Sequence, residues 1–310
     1  MADEQEKKLY HLSVSPHIRS KQTTTSIMCE VLLALTPAAV FSVVYFGFQV
    51  LLVYAVCMGA AVLAEWCWEK LTHQTVTVKD CSALVTGMLL AMNLPPDIPL
   101  WMGAIGAVFA IIIVKQIFGG IGQNFMNPAL TARAFMVVSW SSAMTSFAVH
   151  GVSSATPLTV LKTGGGELPT LWEAFLGTIP GSLGETSALL LLIGGLYLIF
   201  RGIIDWIIPF TYLAVVCVLS YLFGRDGVYE LCTGGLMLGA FFMATDYSTS
   251  PMSHKGRFFM GLGCGILTAI IRNLGGYPEG VSFSILIMNI LVPFIDRFTV
   301  PRIYGEVKKK

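Results

Sequence analysis

Apolar runs long enough to cross a bilayer follow one another from residue 26 to residue 297, separated by short polar breaks. The stretch Ile98 to Val114, IPLWMGAIGAVFAIIIV, contains no charge at all. About 20 apolar residues cross the hydrocarbon core at the helical rise. On that scale the pattern predicts ten spans, at 26–46, 49–68, 81–94, 98–118, 126–147, 186–201, 203–223, 228–245, 257–274 and 279–297. The third is short and runs into NLPPDIP, and the fifth opens with NPALTAR. Broken backbone at membrane depth is tolerated only where protein or a cavity surrounds it. The fold class expected is an all-α polytopic membrane protein of about ten transmembrane helices.

The spans fall into two sets of five that resemble each other. TGMLLA from Thr86 matches TGGLML from Thr233, and residues 117–133 align without a gap to residues 273–289. The extra length of the second copy falls at ATDYSTSPMSHKGR, 244–257. With five spans per copy the two halves have opposite topology, the inverted-repeat plan of many transporters, whose sites lie between the repeats near helix breaks. The expected organisation is a tail at 1–25, a first five-helix repeat at 26–147, a loop at 148–185, a second repeat at 186–297 and a tail at 298–310.

Composition and charge narrow the class. Charged residues make up 12% of the chain against 55% hydrophobic ones, and the mean hydropathy is +0.73; soluble domains carry about 25% charge. The net charge of +1 says nothing about nucleic acid, and no basic, aromatic-interleaved patch points to it, so none is expected as a partner. With both termini placed inside, fifteen of the nineteen lysines and arginines fall on the inner side, which orients the chain and puts the 148–185 loop outside the cytoplasm. The first 25 residues are polar and lack the apolar core of a signal peptide, so they read as a cytoplasmic tail. Seven cysteines with no CxxC pair argue against a disulfide framework and read as small apolar fillers; a metal or iron–sulfur site needs a partner chain to complete it. The five histidines share no metal-ligand spacing. No phosphate-binding loop, nucleophile elbow or HExxH occurs, and the glycines at 164–166 read as linker. No catalytic residue and no metal site is expected.

Four segments carry the polar chemistry. GVSSATPLT, 151–159, lies in the longest polar gap; on its own Thr156 with Pro157 behind it is ordinary turn chemistry. GETS, 184–187, opens the sixth span, where Thr186 or Ser187 caps the helix, or the helix start faces an anion; Glu185 is expected to face away from such an anion or to organise the loop. GGIGQNFMNPALTAR brings Asn124, Asn127 and Arg133 into apolar surroundings, and a charge there marks a site or an internal partner. Arg133 either pairs with Asp246, lines a cofactor pocket, or staples the two repeats. Asp246, in ATDYSTS on the inner side, belongs to a docking loop or an ion path.

The run Ser153-Ser154-Ala155-Thr156, with GGIGQNFMNPALTARAF and GSLGETSALLLLIGGLYLI, resembles the family of D subunits of Rnf-type ferredoxin:NAD oxidoreductases. It is similar also to the B subunit of the sodium-pumping NADH:quinone oxidoreductase, and the resemblance runs from SPHIRS at Ser15 to the last span. The resemblance implies a membrane electron relay in which FMN is esterified through its phosphate to Thr156. Ser153, Ala155, Pro157 and Leu158 are then the context a flavin transferase recognises, and Thr186 lies near the flavin. It further implies a second, noncovalent flavin such as riboflavin near Asn124, Asn127, Arg133 and Asp246. The implied partners are the A, B, C, E and G subunits and membrane lipid, in the cytoplasmic (inner) membrane with the flavin loop outside. Na⁺ and H⁺ both stay open as the ion. Two other readings are the sodium pump's B subunit and a non-redox inverted-repeat solute channel, which has no need of a flavin anchor.

Overall fold

The computed structural model describes residues 22–149, 152–153, 156–163, 168–185, 187–276 and 279–300. Helix α1 spans Thr24–Phe46 and α2 Gln49–Leu71; α3 is Ser82–Met92, and α4, Leu100–Phe109, continues as π-helical turns over Ala110–Gln116. After α5, Pro128–Ser139, come three short helices, α6 (Ser141–Met144), α7 (Pro157–Thr163) and α8 (Leu171–Leu176). The second half holds α9 (Ala188–Phe200), α10 (Ile207–Leu222), α11 (Gly227–Cys232), α12 (Leu236–Leu238) with a π-helical turn at Gly239–Met243, α13 (His254–Leu274) and α14 (Val281–Thr299). The only strands among the described residues are two-residue partners, Ala148–Val149 against Val152–Ser153.

Local chemistry sets the ends. Thr23 accepts from the Ser26 amide at 3.2 Å to cap α1, and Ser253 accepts from Gly256 at 2.9 Å to cap α13. Asn127 accepts from the Ala129 and Leu130 amides at 3.1 and 3.3 Å, and Pro128 follows in the first helical position of α5. The expected span at 228–245 is interrupted: α11 stops at Cys232, and Gly234 takes φ +69 before α12 begins. A side chain at Gly234 would stand 2.5 Å from Leu158 Cδ1, so glycine both turns the chain and admits the loop.

Packing follows the same pattern in each half. The second helix packs on the third and fourth (α2 on α3 and α4; α10 on α11 and α13), and the fourth packs on the fifth. Between halves, α1 packs on α9 and α5 on α14. Close approach needs small residues: a Cβ at Gly87 would meet Cys57 O at 2.8 Å, and one at Gly194 would run into the Ala34 carbonyl. Outward-facing residues are apolar, with Val44, Leu222 and Phe298 exposed to 76, 77 and 84%. Among the described residues four helices, α1, α2, α13 and α14, are long and apolar enough to cross a membrane, and five shorter apolar helices accompany them. This is an all-helical polytopic membrane protein.

The connection before α9 is part of the core. Ile179, Leu183 and Ser182 are buried, Leu183 N donates to Leu94 O at 3.0 Å, and Gly184 N donates to Met92 O at 2.6 Å. A Cβ at Gly184 would stand 2.8 Å from Met92 O and from Leu238 Cδ2. Gly184→Ala is therefore expected to destabilise the chain by about 1–3 kcal/mol, the usual cost of overpacking. Thermal unfolding in detergent reads this, and an unchanged midpoint contradicts it.

Candidate functional site

Arg133 sits where α5, the end of α3, the 177–187 connection and the start of α14 converge. Its Nη1 donates to Asn93 Oδ1 at 3.0 Å and to Ser282 Oγ at 2.9 Å, its Nη2 pairs with Glu279, and Glu185 Oε1 lies 3.8 Å away. One guanidinium thus joins residues of both halves, the stapling role expected of it as one of three. The Asp246 partnership does not form. Asp246 is instead held by Ser248 Oγ at 3.1 Å and Thr249 Oγ1 at 3.3 Å, beside a different cavity. Arg133 lies two turns into α5 from the Asn127 cap, so helix geometry separates it from the amides it neighbours in sequence.

The Arg133 network forms one wall of a cavity of about 220 Å³. Val137, Met144, Phe147 and Phe283 supply apolar surface; Thr145, Thr159, Glu279 and Ser282 supply the polar edge. Ligand sites run from about 300 Å³ upward, so this space takes part of a cofactor, a ring edge, with the rest outside it.

Thr156 begins α7 next to this cavity. Its Oγ1 is 2.8 Å from Thr159 Oγ1 and accepts from the Thr159 amide at 3.3 Å, and Thr159 lines the cavity. The Thr156 side chain is only 3% exposed, so its hydroxyl is occupied as a helix cap. Attachment of any group there requires the side chain to turn out of the cap, at about 1 kcal/mol. Pro157 and Leu158 are buried, and Leu158 anchors the loop against the Gly234 break. Ala155 and Thr186 lie outside the described residues, as do 1–21 and 301–310, and Ser153 is described only as backbone of the short strand. Ser187 caps α9 by accepting from Leu190 N at 3.3 Å.

Asn124, Asn127 and Asp246 gather at a second cavity of about 90 Å³, with Ser82, Thr86 and Lys115. Both π-helical turns reach it, through Lys115 on one side and Phe241 and Phe242 on the other. Such turns recur at functional sites. Asn127 also donates to Met243 O at 3.3 Å, fixing the second π-helical turn to the start of α5.

Two buried ion pairs were not legible in the sequence. Lys115 Nζ donates to Glu65 Oε1 and Ser82 Oγ, both at 2.6 Å, and Gln116 donates to the same Glu65 oxygen at 2.8 Å. In the second half Arg272 donates to the Glu230 and Thr233 carbonyls at 2.9 and 3.2 Å, while the Glu230 carboxylate accepts from Ser220 at 2.7 Å and from Arg225 at 3.2 Å. A cation at a span end reads as an interfacial anchor because long side chains snorkel outward. These two turn inward instead, Lys115 to a carboxylate 50 positions away in the chain.

Glu185 is buried and faces Arg133 rather than away from the site, and its Oε1 has no hydrogen-bond donor. Burial first, then the Glu279 carboxylate, push the Glu185 carboxyl well above the ordinary range, against the pull of Arg133. A raised folded-state pKa means the group's contribution is whole below the unfolded value of about 4.3 and is lost as pH rises through the folded one. Glu185→Gln, which mimics the protonated form, is expected to match the native chain in thermal stability below about pH 4.3 and to exceed it increasingly as pH rises toward the raised folded value. Parallel pH profiles for the two proteins contradict this.

The chain matches the model of the NQR2, RnfD, RnfE family over residues 11–305. It is 51% identical over 306 residues to the D subunit of the Na(+)-translocating ferredoxin:NAD(+) oxidoreductase complex of Acetobacterium woodii, covering 96% of each chain. It is 47% identical over 328 residues to the D subunit of the proton-translocating ferredoxin:NAD(+) oxidoreductase complex of Clostridium ljungdahlii, covering 98% of this chain and 99% of that one. The D subunit of the ion-translocating oxidoreductase complex of Halorhodospira halophila is 35% identical over 342 residues, with 96% of each chain covered. With a family match spanning nearly its whole length and relatives this similar end to end, the chain belongs to the NQR2, RnfD, RnfE family.

Proposed function

We propose that this chain is the membrane electron-carrying D subunit of an ion-translocating ferredoxin:NAD oxidoreductase complex, with FMN esterified through its phosphate to Thr156. The observation that carries the reading is the junction of Thr156 with the Arg133 cavity through Thr159. The residues fit the group. Thr156 supplies a hydroxyl, Phe147, Phe283 and Met144 supply an apolar wall for a ring, and Arg133, Thr159 and Ser282 supply donors for its oxygen and nitrogen atoms. Bound there, FMN supplies one- and two-electron redox chemistry.

The chain's own contribution is positional. A phosphodiester at Thr156 holds the ring at an effective concentration that a free cofactor outside the membrane does not reach. Arg133, fixed by Asn93 and Glu279, keeps a positive charge beside the cavity without side-chain freedom to lose. The apolar wall keeps water from one face.

The pairing of α1 with α9 and of α5 with α14 supports ten spans in two inverted halves, 26–147 and 186–297, related by an axis between these helices. The placement of a buried, carboxylate-paired cation at the end of α4 and again at the end of α13 supports the same plan. Lysine and arginine placement supports an orientation with both tails, 1–25 and 298–310, in the cytoplasm and the 148–185 loop outside it. A second, noncovalent flavin near Asn124, Asn127, Arg133 and Asp246 is larger than the about 90 Å³ cavity beside Asp246, so only an edge of it enters there. The A, B, C, E and G subunits of the complex deliver and remove the electrons, and a flavin transferase installs the FMN.

The test is a denaturing gel under ultraviolet light, run on chain purified from cells that contain the transferase. The proposal expects a yellow-green band that survives denaturation and disappears in Thr156→Val. A dark native band overturns it and favours a non-redox conduit.

A further inference from the structure

We propose that Cys29 and Cys81 form a dithiol switch beside the inner cavity, closing to a disulfide that ties α1 to the start of α3. The two Sγ atoms stand 4.0 Å apart although the residues are 52 positions apart in the chain, and both thiols are free. A bonded pair needs a sulfur separation of about 2.05 Å, so side-chain rotation and a small approach of the two segments complete the bond. The backbone is already close, since α1 packs on the 3-10 turn Val78–Asp80 that precedes Cys81.

Cys81 occupies an unusual position. Its φ is +65, in the left-handed region that L residues other than glycine, asparagine and aspartate rarely adopt. In that conformation its Sγ reaches both Cys29 and the Lys79 carbonyl, the latter at 3.8 Å. Accessibility divides the roles. Cys29 is exposed and Cys81 half-buried, whereas Cys57, Cys232 and Cys264 are buried. Cys29 is therefore the end an incoming oxidant meets.

The reaction is thiol–disulfide exchange with an oxidised low-molecular-weight disulfide. The Cys29 thiolate attacks one sulfur of that disulfide, releasing one small thiolate and leaving a mixed disulfide. The Cys81 sulfur then displaces the second small thiolate and forms the Cys29–Cys81 bond. Two electrons pass to the small disulfide, and the two cysteine protons end on the two released thiols. Transient disulfides of this kind are the form that cytosolic thiol pairs take.

The consequence follows from what flanks the pair. Ile27 and Met28 line the inner cavity just before Cys29, and Ser82 lines it just after Cys81. Ser82 Oγ accepts from Lys115 and donates to Asp80 Oδ1, each at 2.6 Å. A bond between Cys29 and Cys81 therefore restrains Met28 and Ser82, which line the cavity that also holds Lys115 and Asp246.

The test uses the intact complex in inverted membrane vesicles, treated anaerobically with oxidised glutathione, blocked with a maleimide, digested and analysed by mass spectrometry. The expected result is a linked Cys29–Cys81 peptide, absent in Cys29→Ser and Cys81→Ser, and a several-fold loss of ferredoxin-dependent NAD⁺ reduction that dithiothreitol reverses. Cys29→Ser vesicles keep their turnover. Absence of the linked peptide while other thiols react overturns the proposal, as does a linked peptide with unchanged turnover, or equal inhibition of Cys29→Ser. The peptide is read without reference to flavin, so failure of the Thr156 reading is distinguishable from failure here.

Discussion

Thr156→Val in the assembled complex is expected to give a chain that folds, inserts and carries no covalent flavin. Ferredoxin-dependent NAD⁺ reduction then falls by at least about a hundredfold, the scale of loss when a reacting group is no longer held in place. Valine keeps the shape of threonine and removes only the hydroxyl, so the structural cost is confined to the α7 cap, about 1 kcal/mol. Loss of the Thr159 hydrogen bond alone thus leaves the α7 packing of Pro157 and Leu158 intact. Thr156→Ser separates the two effects. It keeps an acceptor oxygen and the cap, and is expected to recover covalent flavin and activity together. Recovery of activity without flavin contradicts the assignment.

Arg133→Met carries the second large effect. The guanidinium is buried among Asn93, Ser282, Glu279 and Glu185, and it compensates two carboxylates. Removing one partner of a buried ion pair costs about 3–5 kcal/mol because the other charge is left unpaired; Glu279 is partly exposed, with 18% side-chain exposure, which places this variant toward the lower end. The loss is expected as a lower thermal midpoint of the purified chain. Arg133→Met combined with Glu279→Gln removes both members of the main pair and is expected to recover part of the stability. The double variant also leaves the cavity without its positive charge, so activity stays low while the fold is regained. Stability of the single variant equal to that of the native chain contradicts the stapling role.

The helices were largely legible in the sequence, and their breaks less so. The short third span, expected at 81–94, is α3 at Ser82–Met92, because Pro95 and Pro96 end the apolar run where helix stops. The eighth span reads as one run at 228–245, yet splits at Thr233–Gly235, where Leu158 of a distant loop fills the gap and Gly234 turns the chain. Hydropathy registers composition alone and is blind to that contact. Arg133 was legible as a charge that needs a partner. Its partner was not, because Glu279 lies 146 positions away, at the first residue of the expected tenth span. The pairings of Lys115 and Arg272 were hidden for the same reason: an inward-turned cation and an interfacial one have the same local sequence. Thr156 was singled out from a tetrapeptide and its resemblance to a family, while the cavity beside it is assembled from α5, α6, α7 and α14 and has no sequence signature.

The most direct measurement is the mass of the intact chain, purified from cells expressing the flavin transferase, followed by mapping of the modified peptide. The account predicts an added mass equal to FMN less one water, located on the peptide that contains Thr156. A polypeptide with the mass of its amino acids alone, or the same addition on another residue, contradicts it.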